Sequence, residues 1–199
     1  MFSMLSRLRA LRATTVLVGV LGALAGLLVA APAQADDRAF RDAHDDAPAR
    51  VDIRAVRVTH RVKALRVVVR LDDVRRNRDG SMDTFVVYVD SRRQRTGPEF
   101  FASVEGFHWY FGRMRRWRAV RSPDPGDPFT SGCRGARADV DLRDDRVTFV
   151  LPRTRRCIRR ITGARVSAVA AHRVRPTGSR FVVDNAPGRR RFYRSVRVG

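Results

Sequence analysis

The stretch Thr84-Phe85-Val86-Val87-Tyr88-Val89-Asp90 leads through a charged loop to Gly97-Pro98-Glu99 and resumes as Phe100-Phe101-Ala102-Ser103-Val104-Glu105-Gly106. It reads as strand, loop, strand. From Phe85 to Val89 both alternating faces are apolar, with Phe85, Val87 and Val89 on one side and Val86 and Tyr88 on the other. A strand with that pattern belongs in the middle of a layered β structure, where neither face meets water.

Working outward, the neighbouring segments alternate apolar and polar residues, as half-buried strands do. Val56 and Val58 alternate with Arg57 and Thr59, and Leu65, Val67, Val69 and Leu71 with Arg66, Val68 and Arg70. His60 to Lys63 makes the hairpin connection between them, and the phase slip at Ala55-Val56 marks a bulge or the start of the strand. Asp72 to Asp83 carries turn residues and is a loop. Phe107–Phe111 and Arg113–Val120 are expected as two strands, or one bent strand broken at Gly112. Arg121 to Gly135 begins with Pro123, Pro125, Gly126 and Pro128 and is irregular. A second hairpin follows, with Ala138, Val140 and Leu142, a turn at Asp144-Asp145, then Val147, Phe149 and Leu151 before Pro152. Arg165–Val174 and Phe181–Asp184 are further strands, and Asn185 to Gly188 is a turn onto which Asp184 is expected to cap. Roughly 8–10 short strands, with no amphipathic helix and no repeat, predict a two-sheet antiparallel β-sandwich of jelly-roll-like form.

The order of these signals resembles a group of uncharacterised secreted actinobacterial proteins. The residues that carry the likeness are the early hairpin, Val89-Asp90 with its charged loop and Gly97-Pro98, Phe149-Val150-Leu151-Pro152-Arg153, and Asp184-Asn185-Ala186-Pro187-Gly188. The layout also resembles DOMON-like and family 9 carbohydrate-binding-module sandwiches. The resemblance implies a fold more than a ligand. Relatives often continue Tyr-Val-Asp with a second acidic residue in a loop able to hold calcium. Here Ser91, Arg92 and Arg93 follow, and arginines repel a hard cation.

Residues 1–35 have the parts of a Sec signal peptide. Arg7, Arg9 and Arg12 are followed by the apolar run Val16–Val29, and Ala33-Gln34-Ala35 provides a cleavage site before Asp36. The run nearly reaches membrane-spanning length, so a retained anchor is the competing expectation. The domain organisation read from the sequence is therefore signal peptide 1–35, flexible lead-in 36–49 and one sandwich domain 50–199. Removing the three leader arginines lowers the formal charge of +21 to +18. Lys63 is the sole lysine, and Glu occurs only at Glu99 and Glu105, a skew that coding bias toward GC-rich codons also produces. Two cysteines, Cys133 and Cys157, in an oxidising compartment point to one disulfide. No other Cys or His lies close enough to them in sequence for a zinc site, and neither a metal nor a cofactor is expected.

The surface of interest is Phe107–Arg121, and within it Trp109, Arg113, Arg115, Arg116, Trp117 and Arg118 are the expected ligand-binding residues. Aromatic faces stack on sugar rings, and guanidinium forks grip carboxylate, sulfate or phosphate. Alternation alone would instead place Phe107, Trp109 and Phe111 in one core-facing row, with the arginines on the solvated face. No nucleophile elbow, zinc-protease motif or phosphate loop is present, so no catalytic residue is assigned. The expectation is a secreted, monomeric, non-catalytic module for an anionic glycan or cell-envelope polymer. The alternative is a structural or protein-interaction module of the cell surface whose charge is compositional. Nucleic acid is disfavoured as a partner by the signal peptide.

Overall fold

A computed structural model gives the architecture and describes residues 36–43, 46–91, 97–113, 133–158, 161–174 and 180–199. The described strands are β1 (Asp36–Arg41), β2 (Ile53–His60), β3 (Ala64–Leu71), β4 (Met82–Asp90), β5 (Phe100–Gly106), β6 (His108–Arg113), β7 (Arg137–Asp141), β8 (Arg146–Pro152), β9 (Gly163–Val174), β10 (Arg180–Ala186) and β11 (Val196–Arg197). Every pairing is antiparallel. One sheet has the order β1-β2-β3-β8-β7, and the other β10-β9-β4-β5-β6, with β11 pairing β9 beyond the end of β10. The protein is an all-β sandwich.

Strand β4 is flanked by β5 and β9 and lies in the middle of its sheet. Phe85, Val87 and Val89 enter the core between the sheets, which Val58, Val67, Phe149, Leu151 and Val166 also fill. On the outer face Val86 and Tyr88 join Phe101 and Val169 in a second apolar cluster, against which Tyr110 and Phe192 pack. Two covered faces explain a strand with no polar side. Burial also pushes the Tyr88 phenol up to about 12.

The β2–β3 hairpin turns at residues 61–63, and its register shifts between Ile53 and Ala55, where the sequence phase slips. The β7–β8 hairpin turns at Asp144-Asp145. Asp145 takes a φ of 47° and accepts a hydrogen bond from the Val74 amide at 2.8 Å, tying the turn to the loop after β3. Cys133 and Cys157 are disulfide-bonded and buried. The bond joins the approach to β7 with the exit from β8, so both chain crossings around this hairpin are held together.

Three expectations are corrected. The lead-in is not uniformly flexible, because Asp36–Arg41 forms an edge strand on β2. Phe40 stacks on Tyr193 with ring centroids 4.5 Å apart, and Asp37 forms a doubly bonded ion pair with Arg57. An edge strand so wet carries almost no apolar period, and that hid it. Gly112 does not break β6, which passes through it to Arg113. A Cβ there would stand 2.3 Å from the Phe101 ring, so glycine serves close packing rather than a bend. Asp184, finally, is not confined to the turn: besides the Asn185 amide, its carboxylate accepts from the Ile53 amide across the sandwich at 2.7 Å.

Candidate functional site

The aromatic and basic segment begins at the β5–β6 turn. Gly106 adopts a φ of 59°, a left-handed conformation that glycine accommodates, and the turn lifts Phe107 out of the sheet, 69 % exposed. Among the described strands β6 is the edge of its sheet and pairs with β5 alone. Trp109, Phe111 and Arg113 share a side of it. Phe111 is 2 % exposed and stacks on Phe100 at 6.1 Å, whereas Trp109, near the turn and opposite Val104, stays 44 % exposed. The Arg113 guanidinium lies 6.0 Å from the Phe100 ring centroid, at cation–π distance. The expected core-facing row is thus split, one aromatic inside and two outside. Trp109 and Arg113 occupy the same strand edge. Arg115, Arg116, Trp117 and Arg118 lie outside the described residues.

A polar cleft of about 340 Å³ opens at the other end of β4, lined by Asp90, Ser91, Thr162, Arg165, Ser195 and Arg197. The Asp90 carboxylate, buried, is paired with Arg165, whose guanidinium also lies 5.4 Å from the Phe192 ring centroid. That pairing neutralises the Arg165 cation, and Arg197, which also lines the cleft, feels the Asp36 carboxylate.

A charged network plugs the end of the core near the β5–β6 turn. Asp83, buried, holds His172 Nδ1 at 2.8 Å through one oxygen and Arg50 Nε at 2.7 Å through the other, and Arg50 also donates to Asn77. It orients a histidine, yet no hydroxyl or thiol stands in hydrogen-bond contact with that ring among the described residues, and its observed work is to satisfy a buried carboxylate. Two acid and base pairings are ruled out by distance. Asp90 and His108 lie at opposite ends of their sheet, and Glu99 and Glu105 flank or end β5 at opposite ends, with Glu99 accepting from the Ser91 amide at 2.7 Å.

A fourth constellation had no sequence counterpart. Carboxylate oxygens of Asp46, Asp52 and Asp184 all lie within 4.8 Å of one another, and Asp42 adjoins them. Burial, with the charges of Asp184, Asp46 and Asp52, pushes the Asp42 carboxyl up to about 6. Asp184 is likewise raised, chiefly by burial. The members come from the lead-in, the entry to β2 and β10, so no spacing rule reveals them. The one signal was the density of Asp36, Asp37, Asp42, Asp45 and Asp46 in a chain otherwise dominated by arginine.

Compared with known protein families, curated proteins and solved structures, the chain matches none. Fold and surface together define a disulfide-linked all-β sandwich that presents aromatic and basic side chains on an edge strand. Among the described residues, no helix is long and apolar enough to cross a membrane.

Proposed function

We propose that the protein is a secreted, non-catalytic binding module for an anionic glycan or cell-envelope polymer, engaged along the β6 edge. The observation that carries this reading is Trp109, 44 % exposed on the same strand edge as Arg113, with Phe107 projecting from the adjoining turn. An indole face offers a stacking platform for a sugar ring, and the Arg113 guanidinium, about 13 Å further along the strand, takes the carboxylate, sulfate or phosphate of a neighbouring unit of the polymer bidentately. The net positive charge steers polyanions toward the surface, and the directional contacts persist where long-range attraction is screened.

The test is retention of the mature protein on acidic and neutral polysaccharide matrices at about 0.15 M salt, where the screening length is about 8 Å. The expected result is retention on the acidic matrices alone, reduced several-fold in both Trp109→Ala and Arg113→Ala. Absence of retention on every anionic matrix overturns the proposal. Retention that both variants keep in full moves the site off the β6 edge.

A second reading, a protein-interaction module of the cell surface, is favoured by the edge strand β10. There Phe181 and Val183 are exposed, with Arg173 5.4 Å from the Phe181 ring centroid. Binding lost in Phe181→Ser but kept in Trp109→Ala would support this reading.

A further inference from the structure

We propose that Asp46, Asp52 and Asp184, with Asp42 and the Tyr193 hydroxyl adjoining, form a binding site for one hard divalent cation of the calcium class. The spacing fits that ion. Calcium takes oxygen ligands at about 2.3–2.6 Å in flexible geometry, whereas magnesium demands near-ideal octahedral geometry at about 2.0–2.1 Å, so an irregular carboxylate cluster suits calcium better. The three carboxylates each place one oxygen within 4.8 Å of the others, so small side-chain movements bring all three onto one ion. All the donors are oxygens, which suits a hard cation and disfavours zinc or copper.

Charge points the same way. Four carboxylates converge here in a chain whose bases outnumber its acids 41 to 20. Among the described residues the Arg54 guanidinium stands against them, its Nη1 3.5 Å from Asp52 Oδ2. Like charges brought together and partly desolvated repel, and a bound cation removes that cost.

The independent observation is Tyr193. Its side chain is buried, 8 % exposed, and its ring is fixed by stacking on Phe40. Among the described residues its hydroxyl has no hydrogen-bond partner, yet it feels the negative charges of Asp42 and Asp184. The Asp42 Oδ2 atom is also buried without a partner among the described residues. A hydrated cation among the carboxylates would supply what both atoms lack, since its waters can bridge to groups beyond direct reach.

The experiment uses the mature protein stripped with chelator and titrated with calcium by calorimetry and thermal unfolding, and with terbium by luminescence excited through tyrosine. The expected result is one saturable site with a Kd on the order of 0.1–1 mM, the range of extracellular calcium modules, and a Tm that rises with calcium. Terbium emission should be displaced by calcium and should fall sharply in Tyr193→Phe. Asp46→Asn, at an exposed position, should weaken binding at least about 10-fold, as loss of a carboxylate ligand does, while Asp144→Asn on the β7–β8 turn should leave it unchanged. Asp184→Asn should abolish binding, and if it fails to fold, Asp46→Asn decides alone. Absence of saturable binding, binding unchanged in Asp46→Asn, or terbium emission unchanged in Tyr193→Phe would each overturn the proposal.

Discussion

His60 ends β2 fully buried, with Nδ1 3.2 Å from the Val196 carbonyl, to which it donates, and Nε2 buried without a partner among the described residues. Burial lowers its tendency to protonate in the folded state. The unfolded chain therefore takes up a proton below about 6.5 that the folded chain resists, so stability is lost as pH falls through that value. Relative to His60→Asn, which keeps a donor, the wild type should lose up to about 1.4 kcal/mol per pH unit below that point. Denaturant unfolding of the pair from pH 7.5 to 5 checks this, and parallel curves would show that His60 is not the titrating group. Asp42 acts in the opposite sense: its folded value of about 6 lies above the usual 3.8, so ionising it weakens the fold as pH rises through that interval. Because both proteins contain Asp42, its effect cancels in the comparison. Gly112 offers a second measurement at this scale. Its alanine variant would drive a methyl group into the Phe101 ring, which is part of the covered outer cluster, and overpacking of that kind costs about 1–3 kcal/mol. A lowered urea midpoint with an unchanged slope is the expected sign.

At the scale of elements, legibility followed burial. Strand β4 could be read because both of its faces are covered, and a doubly apolar run has few other places to go. The β2–β3 and β7–β8 hairpins could be read because one face of each is core and the alternation survives intact. Strand β1 could not, since its pairing rests on backbone bonds, one stacked ring and a surface ion pair, none of which leaves a period in the sequence. The candidate sites divide similarly. Trp109 and Arg113 were visible because they are near neighbours on one strand. The carboxylate cluster was not, because Asp46 and Asp184 meet only once β10 has been laid against β9 and the lead-in has been fastened to β2. Alternation also could not say which of Phe107, Trp109 and Phe111 would be covered, for that depends on where the turn falls and on β6 being an edge.

Across the whole molecule, the disulfide is the one covalent link between segments that leave and re-enter a sheet. It closes a loop of about 25 residues around the β7–β8 hairpin, for which loss of chain entropy in the unfolded state predicts roughly 3.5 kcal/mol of stabilisation. The double variant Cys133→Ser, Cys157→Ser should unfold at a lower denaturant concentration by that order, and thiol labelling of the unfolded, unreduced wild type should find no free cysteine. Equal stability of the two proteins would mean that packing alone fixes the crossings. The uneven use of basic residues has a practical side as well. Lys63, the single lysine, is exposed in the β2–β3 turn. Arg50, near the opposite end of β2, bonds Asp83, beside Met82, which pairs with Gly106 at the turn into β6. A support coupled through the Lys63 amine, under conditions that spare the chain's α-amino group, would therefore hold the molecule with Trp109 and the Asp52 end of the sandwich directed away from the support.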